Sequence, residues 1–147
     1  MEWWDDRPGF TASRWRREAL AVIVPPTHAW ARRKTVPKAA LLDVGLIGGE
    51  PGTGTGRLLQ QVFGKAAARL EVTMSLGSTA AVKEAVKAGL GISLVYAAAV
   101  VDEVKAGSLC ALRLADAELA KDLFVILPQD VPESAPAARF AVMHTKS

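Results

Sequence analysis

Apolar residues fall in short runs punctuated by glycine and proline, and the period inside each run separates strands from helices. Residues 19–24, Ala-Leu-Ala-Val-Ile-Val, form an apolar run stopped by Pro25 and Pro26, which predicts a buried strand. Residues 44–47 predict a second strand, after a short helix over 37–42 that Pro37 is suited to open. From Arg57, the positions Leu58, Leu59, Val62, Phe63, Ala66 and Ala67 recur at helical spacing and predict a helix with one buried face. The grammar then repeats. Residues 71–74 alternate like a strand, residues 76–79 turn, and Val82, Ala85, Val86 and Leu90 mark the inner face of a helix ending at Gly89. Residues 91–95, 109–114 and 121–127 read as strands, 97–106 as a helix closed by Gly107, and 135–143 as a terminal helix. Strands alternating with helices of this length predict an α/β fold with a largely parallel sheet. Residues 1–17 hold no sustained period and read as a lead-in.

Two glycine-rich turns each lie between a strand and a helix: Gly-Gly-Glu-Pro-Gly-Thr-Gly-Thr-Gly-Arg at 48–57 and Leu-Gly-Ser-Thr at 76–79. A helix start offers unpaired N–H groups and the positive end of the peptide dipole, so both turns are candidate seats for a small anion. Ligands of such folds sit beyond the carboxyl ends of the strands, where both turns fall. The phosphate-loop patterns fail. Thr55 stands where a Walker loop needs lysine, and Arg57 stands at the third glycine of a dinucleotide fingerprint. What remains is a carboxylate-sized site, with Thr53, Thr55 and Ser78 equally able to serve as helix caps worth about 1 kcal/mol each.

The chain has 147 residues, half of them apolar, enough for a packed core in one domain or two small lobes. Its net charge of +3 comes mostly from Arg14, Arg16 and Arg17 and from Arg32, Arg33 and Lys34, for which a solvated face is expected in preference to a nucleic-acid patch. The lone Cys110 permits no intramolecular disulfide and reads as an inert buried thiol in a reducing compartment. The N-terminus lacks a secretory pattern and no run is long enough to span a membrane, so the expected location is cytoplasmic, with no membrane partner. His28 and His144 have no metal spacing, no serine sits in a nucleophile elbow, and Asp102 and Glu103 read as solvated. No catalytic residue, metal or cofactor is expected, and the chain is not expected to be an enzyme.

Three stretches together carry a resemblance. Ala21-Val-Ile-Val-Pro-Pro-Thr-His-Ala-Trp-Ala-Arg-Arg33, Glu50-Pro-Gly-Thr-Gly-Thr55 and Gly77-Ser-Thr-Ala-Ala-Val-Lys-Glu-Ala-Val-Lys-Ala-Gly-Leu-Gly-Ile92 strongly resemble the effector-binding domain of LysR-type transcriptional regulators. The 77–92 stretch is the most specific part, and Ser134-Ala-Pro-Ala-Ala-Arg-Phe140 is similar to the family's closing helix. The resemblance implies a type II periplasmic-binding-protein-like fold: two α/β lobes joined by crossover strands, with a small effector, often an organic acid, in the cleft. It implies a lead-in and crossover over residues 1–18, an essentially complete second lobe over 19–120, and a return strand and C-terminal helix of the first lobe over 121–147. Glu50, Thr53, Gly54 and Thr55 match the second lobe's loop, Gly77, Ser78 and Thr79 its other cleft-edge turn, and Ile92 and Ser93 the place where a strand returns toward the cleft.

Departures are equally plain. The family's helix-turn-helix, linker helix and opening part of the first lobe have no counterpart here, so half of the cleft is expected to be missing and no direct DNA contact is expected. Position 56 is Gly where many relatives carry Arg, and Trp3, Trp4 and Trp15 have no family counterpart. The expected function is ligand sensing in a transcriptional regulator, as a homo-oligomer, by a shift of conformational equilibrium. The alternative is a truncated interaction or dimerisation fragment that binds no effector and pairs through an exposed sheet edge.

Overall fold

Strands and helices alternate through the computed structural model, which describes residues 8–144. Two compact units divide the chain: Ala19–Leu119 is one, and the segments up to Glu18 and from Ala120 form the other.

In the larger unit the second half of β1 (Phe10–Val24) lies between β5 (Ser93–Tyr96) and β6 (Cys110–Leu114), antiparallel to both, with Ile23 opposite Ser93 and Ala111. The edge strand β2 (Thr35–Val36) pairs parallel with β6. A parallel pair, β3 (Gly45–Ile47) and β4 (Glu71–Met74), joins through a Leu46–Ile92 bridge, in which Ile47 N–H donates to the Ile92 carbonyl at 2.8 Å and Ile92 N–H to the Gly45 carbonyl at 3.1 Å. Every strand of this unit except β1 therefore runs the same way, but β1 lies between β5 and β6 and is antiparallel to both, so the sheet is mixed rather than largely parallel.

Alternation along β1 builds two cores. Leu20, Val22 and Val24 pack with Leu46, Leu58, Leu59, Ile92, Leu94 and Leu112 on one face. Ile23 packs with Ile47, Val82, Ala85, Val86, Val95, Val100 and Leu109 on the other. Helix α1 (Gly54–Phe63) thus covers one face and α2 (Thr79–Lys87) the opposite face. This two-sided cover explains the continuous apolar run at 20–24, because a strand buried on both faces has no polar alternation.

The smaller unit holds the first half of β1, β7 (Ala120–Pro128) and α4 (Pro136–His144). Gln129 N–H donates to the Gly9 carbonyl at 2.9 Å, and Trp15 meets Phe140 edge-on at 5.7 Å. Arg14 and Arg17 flank Asp122 at 3.9 and 3.6 Å.

Several expected boundaries move. Residues 10–17, taken as lead-in, are strand; their side chains are mostly exposed, so pairing leaves no hydrophobic period to read. The helix expected at 37–42 is a 3-10 turn over Lys38–Asp43. Gly64, at φ 57°, ends α1, so Ala66 and Ala67 lie in a separate 3-10 turn, Gly64–Arg69. The helix expected at 97–106 is a 3-10 turn, Ala97–Val100, followed by α3 (Val101–Ala106), which Gly107 closes at φ 77°. Cys110 is half-buried rather than buried. Trp3 and Trp4 lie outside the described residues.

Candidate functional site

The two glycine-rich turns are neighbours because the strands that deliver them are neighbours. β3 and β4 are paired and parallel, and Gly48 N–H, just past the end of β3, donates to the Met74 carbonyl at 2.8 Å. Each strand then passes into a helix at the same edge of the sheet, α1 after β3 and α2 after β4. Gly48, Gly49 and Gly52 take positive φ of 78°, 84° and 90°, a conformation that lets the chain turn sharply out of β3 and that side-chain-bearing residues rarely adopt.

Thr53 caps α1. Its hydroxyl donates to the Glu50 carbonyl at 2.7 Å and accepts from Gly56 N–H at 3.0 Å, so the group is engaged in both directions. Thr53 N–H also donates to the Glu50 carbonyl, at 3.2 Å. The Glu50 backbone, rather than its carboxylate, therefore closes the turn. Gly56 presses against the same carbonyl: a Cβ there would lie 1.9 Å from that oxygen. Ser78 caps α2 more simply, its hydroxyl oxygen accepting from Ala81 N–H at 3.2 Å, which leaves the hydroxyl proton to donate.

Caps satisfy only part of each helix start. Arg57 and Val82 N–H groups go to the Thr53 and Ser78 carbonyls, at 2.9 and 3.1 Å. The N–H groups of Gly54, Thr79 and Ala80 have no partner among the described residues. Gly77, Ser78 and Thr79 are exposed, and Gly54, Thr55 and Glu50 are half-buried. The positive ends of two helix dipoles therefore meet solvent at the same edge of the sheet, and each start is suited to a carboxylate or another small oxyanion.

Ile92 stands apart from this group. Its side chain is 2% exposed inside the core and both of its backbone groups are bonded across the bridge, so its place is in packing β5 against β3. Ser93 is likewise satisfied, donating to the Ile47 carbonyl at 2.6 Å. His28 accepts the Trp30 N–H at its Nδ1, 3.0 Å away, and stacks edge-on with that ring, which fixes the turn after β1.

A tie behind the site carries no sequence signal. Lys83 on α2 donates to the Ala99 carbonyl at 3.0 Å and to the Glu103 carboxylate at 2.6 Å, linking α2 to α3. That hydrogen bond holds the Glu103 carboxyl below its usual value. Asp102 stays exposed, so of the two carboxylates expected in solvent one is drawn into the structure.

Comparison with known proteins agrees with the fold. The family model for the LysR substrate binding domain matches residues 2–144. The HTH-type transcriptional regulator CbbR of Xanthobacter flavus is 32% identical over 111 residues, 74% of this chain and 33% of its own length. The HTH-type transcriptional activator CmpR of Synechocystis is 29% identical over 121 residues, 82% of this chain and 40% of its own length. The chain thus spans well under half of these relatives. Among solved structures, the CcmR regulatory domain of Synechocystis in complex with 2-PG superimposes with a TM-score of 0.79 at 23% identity, covering 99% of this chain and 70% of that one. The effector-binding domain of QuiR in complex with shikimate also reaches 0.79, at 13% identity, with 98% and 67% covered. The fold is the α/β, type II periplasmic-binding-protein-like fold of such regulatory domains.

Proposed function

Because the chain belongs to the family of the LysR substrate binding domain, we propose that it is the ligand-sensing part of a transcriptional regulator and that the paired starts of α1 and α2 hold a small anionic effector. The observation that carries this reading is the junction of two helix N-termini on adjacent parallel strands, with the Gly54, Thr79 and Ala80 N–H groups left for an acceptor. Ser78, Thr55 and Thr79 add hydroxyls, Gly77 leaves room for close approach, and Thr53 with Glu50 shapes the loop. Two complexes of similar fold hold 2-PG and shikimate, which supports a small effector as the class. The effector acts by binding one conformation better than another, without a covalent step. The regulator works in the cytoplasm as a homo-oligomer. Among the described residues no helix is long and apolar enough to cross a membrane.

Titration calorimetry of the chain against 2-PG, shikimate and other small organic acids tests this. At least one acid binds, and Ser78→Ala or Thr55→Ala weakens it about tenfold, the value of one hydrogen bond to a charged group. Unchanged affinity in both variants contradicts the proposal.

A second reading, that of an interaction fragment, is favoured by α4, whose Phe140, Val142 and Met143 are 40%, 62% and 73% exposed. Light scattering across a concentration series, read together with the calorimetry, separates the two, because both allow an oligomer and only the first requires a bound ligand. A ligand-stabilised monomer argues against the fragment, and concentration-dependent growth without ligand binding supports it.

A further inference from the structure

Cations gather at one edge of the larger unit, where the fold brings Arg113 beside the run at 32–34. β2 is the terminal strand of its sheet, and the run Arg32, Arg33, Lys34 leads directly into it. β6 lies alongside, with Arg113 opposite Thr35 and the Arg113 N–H donating to the Lys34 carbonyl at 3.0 Å. Burial alternates on both strands: Val36, Leu112 and Leu114 are buried, while Thr35, Ala111 and Arg113 are exposed. A residue from the other end of the unit's sequence thus adds a fourth cation to the run of three. All four side chains are exposed, and none has an ion-pair partner among the described residues. Arg14, Arg16, Arg17, Lys83 and Lys87, by contrast, each face a carboxylate. Among the described residues, Asp116, which follows β6, accepts the Lys38 N–H at 2.8 Å and forms no ion pair with any of the four cations.

Against the sequence expectation of no direct DNA contact, we propose that this edge binds the phosphate backbone of duplex DNA, as a sequence-independent contact separate from any helix-turn-helix. Three of the four cations are arginines, whose planar fork matches two phosphate oxygens at once. Binding breaks no internal ion pair, so the counterions released from the phosphates are not offset by lost contacts within the protein. The strand pairing also fixes the spacing of Arg113 to the 32–34 run, which a flexible basic tail does not do. Charges on an edge strand have another duty, the prevention of pairing with a second sheet, but that duty requires no polyanion. An acidic protein surface is the competing partner. The arginine content favours phosphate.

Fluorescence anisotropy of a short labelled duplex of arbitrary sequence, titrated with the whole chain at several salt concentrations, tests the proposal. If all four cations engage, the logarithm of the association constant falls with the logarithm of salt at a slope of about −3.6, roughly −0.9 per phosphate neutralised. The triple variant Arg32→Ser/Arg33→Ser/Arg113→Ser reduces the magnitude of that slope by about 2.7 on the same counting and weakens binding at low salt. A control with the same net charge, Lys65→Ser/Arg69→Ser/Lys105→Ser, removes exposed cations from other segments and keeps a slope close to that of the parent. Circular dichroism of both variants confirms that each is folded. The proposal is overturned by no binding at low salt, by equal losses in the two triple variants, or by tighter binding of polyglutamate than of the duplex.

Discussion

A Cβ on Gly56 would lie 1.9 Å from the Glu50 carbonyl oxygen and 3.0 Å from the Thr53 hydroxyl, so the loop before α1 closes only around a glycine. Gly56→Ala therefore lowers the free energy of unfolding in urea by about 1–3 kcal/mol, the usual range for a forced overpacking, and an unchanged midpoint contradicts this. In the sequence, position 56 is only a departure from relatives, because the contact depends on Glu50 folding back over the helix start. Thr53 and Ser78 show the complementary case. Both are legible as caps, but which hydroxyl keeps a proton for a ligand depends on where the Glu50 carbonyl lies. Thr53→Ala costs about 1 kcal/mol of stability and changes effector affinity less than Ser78→Ala does, a split read by pairing denaturation with calorimetry. Equal losses of affinity in the two variants contradict it. Ile92 illustrates the limit of resemblance: its position matches a strand that returns toward the cleft, yet its side chain is consumed by the core.

The elements follow the periodicity wherever an apolar stripe meets a sheet face, as α1 and α2 do on opposite sides of β1. Periodicity fails where hydrogen bonds, not burial, make the element. Residues 10–17 form strand with mostly exposed side chains, and the 3-10 turns interrupt stripes that look continuous. The tie between α2 and α3 is equally silent in the sequence, since Lys83 and Glu103 meet only after folding. Because that contact lowers the Glu103 pKa in the folded state, its stabilisation is present above the usual carboxylate value and is lost as pH falls through and below it. Melting temperatures of the parent and Glu103→Gln therefore differ at neutral pH and converge on acidification. A difference that persists unchanged in acid contradicts the assignment.

Across the larger unit, one reversed strand in an otherwise parallel sheet gathers both cores, with Val22, Ile23 and Val24 fully buried. Leu46 is also fully buried at the bridge between β3 and β5, and Leu46→Ala lowers stability by about 2–5 kcal/mol in a chemical melt, whereas a loss below about 1 kcal/mol contradicts this view of the core. The apolar runs and glycine turns made the α/β class legible. The single reversal of β1 was not legible, because strand direction is set by pairing between distant segments. The proposed site gathers the starts of α1 and α2 around a small anion. Its most direct test is amide chemical-shift mapping by NMR during titration with 2-PG, shikimate and a series of small organic acids. Saturable shifts concentrated at residues 53–57 and 77–81 are expected, with Gly54, Thr79 and Ala80 among the largest. Shifts confined to other parts of the chain, or none with any acid in the series, would contradict it.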